Sequence, residues 1–207
     1  KHDFMLLADE CYAEIWRETP PPGALEIAAA AGADPERVVV FNSLSKRSNA
    51  PGLRSGFAAG GPRAIAAMRQ LRAYGGAPVP LPLQRASAAL WRDEAHVEAS
   101  RALYAEKFAL ADRILGDLPG YRAPDGGFFL WLDVGDGEAF ALRLYRETGV
   151  RVLPGGYLGR ATAGAGNPGA RHVRVALVAD AAQVGRGLEA IRATLAGAAG
   201  AAEVGSG

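Results

Sequence analysis

The chain is 207 residues long, 49% hydrophobic and 22% charged, the composition of an ordinary globular protein long enough to bury a sizeable core. Its 23 Lys plus Arg nearly balance 22 Asp plus Glu, so no global field draws it to nucleic acid or to a membrane surface. One cysteine, Cys11, excludes an internal disulfide framework and fits a reducing compartment, while the scattered His2, His96 and His172 give no metal-ligand spacing.

The sequence opens at Lys1-His2-Asp3 without a methionine and enters at once the apolar run Phe4–Ala8. That run is too short for a signal peptide and has the pattern of a strand buried on both faces. Its place at the very start leads us to expect a fragment whose preceding context is missing. Asp9, Glu10, Cys11 and Tyr12 then put polar groups at the strand's C-terminal edge. Pro20 to Gly23 is a rigid loop, Leu25–Ala31 a short helix stopped at Gly32, and Arg37–Phe41 a second strand. A third strand is predicted over Gly56–Ala59 and helices over Pro62–Tyr74 and Pro82–Trp91, with a loop rich in breakers at 75–80. No stretch approaches the roughly 18 apolar residues of a membrane span.

The longest helical pattern is Asp93–Leu118. Strand Phe128–Val134 and helix Glu138–Thr148 follow, then strands near Val150–Leu153 and over His172–Val178. A last helix starts at the N-cap candidate Asp180 and runs to about Leu195. Residues 159–169 have the look of a mobile insertion, and the Ala/Gly/Ser-rich 197–207 is expected to fray. The order predicts an α/β domain over 1–99, a smaller α+β domain with its linking helix over 100–196, and a flexible tail over 197–207.

The stretch Val38 to Gly60 carries the densest chemistry. An apolar strand ends in Ser43-Leu44-Ser45-Lys46, and Arg54 follows the chain break Pro51-Gly52. A lysine in such a loop is ordinarily a solvated side chain. Here two hydroxyls and an arginine beside it could take a phosphate, and the amine could form a Schiff base. Arg47 is expected to face solvent or a subunit partner. Asp9 and Tyr12 read either as a helix cap with a half-buried tyrosine, or as a carboxylate for a protonated ring nitrogen and a hydroxyl for a phenolic oxygen. Arg174, flanked by Val173 and Val175, is either on the exposed face of an edge strand or a bidentate site for a substrate carboxylate, with Arg171 the lesser choice.

Asp9, Tyr12, Ser43, Ser45, Lys46, Arg54 and Arg174 together resemble the second half of a fold-type I pyridoxal-phosphate aminotransferase of classes I and II, to about residue 195. The resemblance implies the C-terminal part of a three-layer α/β/α cofactor-binding large domain followed by a small α+β domain. By it Lys46 is the Schiff-base lysine, Asp9 pairs with the pyridinium nitrogen and Tyr12 with the ring 3-oxygen. Ser43, Ser45 and Arg54 hold the phosphate, and Arg174 takes the substrate α-carboxylate. More narrowly, Ser43–Phe57 (SLSKRSNAPGLRSGF) and Tyr74–Gln84 (YGGAPVPLPLQ) are similar to succinyldiaminopimelate aminotransferases. Amino-acid and 2-oxo-acid substrates, a cytoplasmic homodimer and the Tyr74-Gly75-Gly76 loop as a subunit contact are implied with it. Aspartate or aromatic aminotransferases, a β-lyase and the aminotransferase-like domain of a transcription regulator are the alternatives. The family's glycine-rich phosphate loop, ring-stacking aromatic and 3-oxygen asparagine have no counterpart here, so these residues alone are expected to be poorly soluble and to bind the cofactor weakly or not at all.

Overall fold

The computed structural model describes the backbone of residues 2–204 and the side chains of residues 2–197. The chain forms two compact units. The first runs to Ala102 and takes back Asp125–Gly127; the second holds Leu103–Pro124 and the chain from Phe128 onward.

The first unit is built from β1 (Leu6–Asp9), α1 (Ala24–Ala30), β2 (Val38–Ser43), the one-turn helix α2 (Leu44–Arg47), β3 (Gly56–Gly60), α3 (Pro62–Gly75), α4 (Leu81–Arg92) and the start of α5 (Ala95–Leu115). Its sheet has the order β1-β2-β3. β2 is the central strand because its β-branched run Val38, Val39 and Val40 is buried. β1 runs parallel to it, with Asp9 beside Phe41, while β3 is antiparallel and sets Gly56 opposite Ser43. α3 begins with Pro62 at its first position, where a missing N–H costs nothing.

The expectation that Phe4–Ala8 is buried on both faces is not met. β1 is an edge strand paired on one side only, and Phe4 and Leu7 are each 63% exposed. Apolar character in this run therefore does not report burial among the described residues.

The second unit takes α5 from Leu103 onward, then β4 (Phe129–Asp133), α6 (Gly137–Thr148), β5 (Leu153–Pro154), β6 (His172–Ala176) and α7 (Ala181–Val204). Its sheet is antiparallel in the order β4-β6-β5. Tyr104, Phe108, Ala111 and Leu115 recur at the helical spacing of four, three and four, and all are buried. Val184, Leu188 and Ile191 of α7 and Phe140 and Leu144 of α6 complete the core with Val173 and Val175 of β6. Each such side chain contributes about 1.5–3 kcal/mol by leaving water.

The helix ends follow from their caps. Asp136 accepts from the N–H groups of Glu138 and Ala139 at 3.1 and 3.0 Å, and α6 stops at Gly149, whose φ of 75° suits glycine. Asp180 accepts from the Gln183 N–H at 2.8 Å and so caps α7 as the sequence predicts. In residues 159–169, Asn167 donates to Gly156 O at 2.8 Å and Gly159 O at 3.3 Å, and accepts from the Gly169 N–H at 2.9 Å. Of the expected tail, the backbone is helical to Val204, and residues 205–207 lie outside the described residues.

Candidate active site

At the C-terminal edge of the first unit's sheet, two chain reversals bring polar side chains together. β1 ends at Asp9, whose Oδ1 accepts from the Cys11 N–H at 3.0 Å. This closes a tight turn rather than capping a helix, so the helix-cap reading of Asp9 gives way to a turn. β2 ends at Ser43, which caps α2 by accepting from the Ser45 N–H at 3.3 Å. Leu44, fully buried, anchors that single turn from below.

Arg54 ends a 3-10 turn over Pro51–Leu53 and stands at φ 51°, ψ 38°, in the left-handed region that residues with a Cβ rarely adopt. Its Nη1 donates to Pro51 O at 2.8 Å. Such backbone strain gathers at functional sites because the surrounding structure must hold it in place. Gly56 sits so close to β2 that a Cβ there would lie 2.4 Å from Asn42 O and 3.1 Å from Ser43 Cβ. The close approach packs β3 tightly against the Ser43 end of β2.

The result is one open cleft of about 500 Å³ lined by Asp9, Tyr12, Ser43, Ser45, Lys46 and Arg54, together with Cys11, Pro51, Ser55 and Gly56. The Lys46 amine lies 5.7 Å from the centre of the Tyr12 ring. All six first-unit residues singled out from the sequence meet here. Arg174 does not line this cleft: it belongs to the second unit, on the central strand β6, where it pairs in register with Trp131 and Leu153. The edge-strand reading of Arg174 is thereby corrected. Its guanidinium stacks 4.3 Å from the centre of the Phe129 ring, on the face opposite buried Val173 and Val175. Arg171 is committed elsewhere, donating to Asp133 at 3.1 Å through both Nε and Nη2.

Cys11, placed at the strand edge by the sequence but given no role there, is one of the lining residues. Its thiol and its backbone N–H both bond to Asp9 and hold that carboxyl below the ordinary carboxylate range. Burial, and then the bond to Asp9, push the Cys11 thiol up, so the sulfur keeps its proton and donates it. The signal was its position between Asp9 and Tyr12. Arg47 departs from the expectation of solvent exposure: the side chain is only 3% exposed. Two carboxylates and a carbonyl surround it, which is what a buried guanidinium needs.

Chemically the cleft offers an amine nucleophile, an ionised carboxylate, a phenol, and hydroxyls with a guanidinium. Among the described residues no cluster of His, Cys, Asp or Glu could hold a metal ion, and no helix is long and apolar enough to cross a membrane.

A profile of the family described as aminotransferase class I and II matches residues 1–191. The chain is 34% identical over 177 residues to the 4-dedimethylamino-4-oxo-anhydrotetracycline transaminase of Streptomyces rimosus, covering 84% of this chain and 47% of that protein. It is 28% identical over 194 residues to an LL-diaminopimelate aminotransferase of Nitratidesulfovibrio vulgaris, covering 89% of this chain and 46% of that one. Among solved structures, an aminotransferase from Neisseria meningitidis superposes with a TM-score of 0.88 at 44% identity, over 92% of this chain and 49% of that one. A probable N-succinyldiaminopimelate aminotransferase from Thermus thermophilus gives a TM-score of 0.77 at 27% identity, over 92% of this chain and 50% of that one. The chain thus spans about half the length of the relatives it matches.

Proposed function

The chain belongs to the class I and II aminotransferases, a pyridoxal-phosphate-dependent family, and on that premise we propose that its first-unit cleft is the lysine-bearing side of a transaminase active site. The single observation that carries this reading is the convergence of Asp9, Tyr12, Ser43, Ser45, Lys46 and Arg54 on one cleft. The donor set fits pyridoxal phosphate: a primary amine for an aldehyde, a carboxylate held ionised for a ring nitrogen, a phenol for the ring oxygen, and two hydroxyls with a guanidinium for the phosphate.

When bound, pyridoxal phosphate supplies an electron sink for the charge left at the substrate Cα, and the protein supplies orientation and charge. Lys46 would hold the cofactor through its amine, and that amine is the base placed to move a proton at the substrate Cα. Asp9 keeps the ring nitrogen protonated, and the Cys11 hydrogen bonds keep Asp9 ionised for that task. Tyr12 orients the ring by its hydroxyl. Ser43, Ser45 and Arg54 anchor the phosphate, Arg54 from a backbone conformation already fixed by the 3-10 turn. Arg174 takes the substrate α-carboxylate, a fork matched to a carboxylate and backed by Phe129.

For the substrate, we propose succinyldiaminopimelate or a related amino acid, with glutamate and 2-oxoglutarate as the amino pair, in a cytoplasmic homodimer. The segments Ser43–Phe57 and Tyr74–Gln84 support this, as does the likeness to the Thermus protein. The 44% identity to the Neisseria aminotransferase, and the tetracycline and LL-diaminopimelate relatives, keep a different amino acid as the second reading.

The test uses the protein encoded by the complete open reading frame. Borohydride reduction after incubation with pyridoxal phosphate is expected to fix the cofactor on the peptide carrying Lys46, and Lys46→Ala to lose both the adduct and transamination. An adduct on another lysine, or undiminished turnover by the variant, overturns the assignment. Glutamate formation from 2-oxoglutarate with succinyldiaminopimelate, aspartate or aromatic amino acids as donors then ranks the substrates. Release of ammonia and a 2-oxo acid instead marks lyase chemistry.

A further inference from the structure

Lys46 sits on a helix of four residues, too short to hold a direction by its own hydrogen bonds. Its neighbour Arg47 points about 100° away around the same turn, into the body of the first unit. There the Arg47 guanidinium is held from several sides. Nη1 donates to Leu90 O at 2.9 Å, Nη2 pairs with Glu94, Nε lies 3.8 Å from Glu14 Oε1, and the plane stacks 5.0 Å from the Trp91 ring. Glu14 is itself held by Arg101, which donates to its backbone O at 3.0 Å and its Oε2 at 3.1 Å. Two cations and two carboxylates thus balance in one cluster, and Arg47, at 3% exposed, is its buried member.

The cluster has a direction. Glu14 lies two residues after Tyr12 and five after Asp9, so Arg47 ties the segment carrying the ring-facing groups to the turn carrying the amine. A second latch closes the far side of the turn: His96 bonds Ser48 Oγ through Nε2 at 2.8 Å and Asp93 Oδ2 through Nδ1 at 2.9 Å. This Ser–His–Asp chain is a tie and not a hydrolytic triad, because the nearby N–H groups of Ser48 and Ala50 are both spent on Leu44 O.

We propose that Arg47 is a positioning residue for Lys46: by bridging Leu90, Glu94 and Glu14 it fixes the lysine turn relative to Asp9 and Tyr12, and so fixes where the amine meets the aldehyde. The inference rests on the cofactor reading above. It assigns Arg47 the rate of attachment and leaves affinity to the groups that grip the phosphate and ring. Misplacing a reacting group by about 1 Å costs on the order of a hundredfold in rate.

The apoprotein from the complete open reading frame is mixed with pyridoxal phosphate, and the visible band of the lysine-bound cofactor is followed in time. Two quantities result: the concentration giving half the maximal rate, and the limiting rate of attachment. Arg47→Met is expected to lower the limiting rate about a hundredfold with half-saturation within about twofold of the parent. Arg47→Lys, which keeps the charge and loses the fork, recovers about tenfold of that loss. Glu14→Gln lowers the limiting rate about tenfold, again without moving half-saturation. An unchanged limiting rate in these variants overturns the proposal, as does a proportional shift of both quantities, the mark of a generally loosened site. If Arg47→Met does not fold, Arg47→Lys and Glu14→Gln decide by the same criteria. Failure of the parent protein to form a borohydride-fixed adduct at Lys46 overturns the cofactor reading itself, which separates the two failures.

Discussion

The Cys11 thiol donates to a carboxylate that is almost wholly in solvent, so its value lies in keeping Asp9 charged rather than in stabilising the fold. Asp9 has its pKa depressed, so its contribution is present above the unfolded value of 3.8 and lost as pH falls through the lower folded value. Cys11→Ala removes the thiol bond and leaves the backbone one. Cofactor affinity of the variant is expected to drop by less than about tenfold at neutral pH and to begin falling at a higher pH than in the parent on acidification. Coincident pH profiles of cofactor dissociation would refute this. Asp9, Tyr12, Ser43, Ser45, Lys46 and Arg54 were legible because each is a conspicuous polar group beside a strand end or a chain break. Arg47 was not, since a loop cation is ordinarily exposed and its partners Leu90 and Glu94 lie more than forty positions along the chain. Pairing over that distance leaves no mark in the local sequence.

Apart from the far end of α7, which runs to Val204 and so past the expected Leu195, the strands and longer helices were readable to within a few residues because their signals are local. The apolar stripe of α5, the cap Asp180 and the Pro-Gly break before Arg54 each act within a turn or two. What the pattern misjudged was environment: β1 reads as a doubly buried strand but is an exposed edge, because burial depends on neighbours and not on the strand's own residues. β3 offers the sharpest test at this scale. Gly56→Ala forces a Cβ against the Asn42 carbonyl and Ser43, and the neighbour that must yield is backbone. The substitution is expected to cost about 1–3 kcal/mol in unfolding free energy and to weaken phosphate binding through the displaced Ser43. Thermal unfolding and pyridoxal-phosphate titration read the two effects separately, and a variant unaltered in both would show that the strands can part freely.

At the scale of the molecule, acid provides a handle on one ion pair of the second unit. Arg192 pairs with both Asp117 oxygens and donates to Ile114 O at 2.6 Å, tying α7 to the end of α5. The Arg192 hydrogen bond is the main cause that lowers the Asp117 pKa to about 2. A depressed carboxyl stabilises above its unfolded value of 3.8, and that stabilisation disappears as pH falls towards 2. The unfolding temperature of the parent is therefore expected to fall more steeply between pH 4 and pH 2 than that of Arg192→Gln, although exposure keeps the effect modest. Parallel curves would remove the pair from the acid response. The chain's path has a further consequence. It crosses between the units after Ala102, returns for Asp125–Gly127, and leaves again. In that return Asp125 accepts from the Arg17 N–H at 3.0 Å and Gly127 donates to Ile15 O at 2.7 Å, just beyond Tyr12. No single cut yields either unit whole: severing the chain after Ala102 strips the segment following Tyr12 of its bridge to Gly126. The two halves of this polypeptide are stitched rather than strung, so domain shuffling by one recombination event would damage the lysine cleft it meant to transplant.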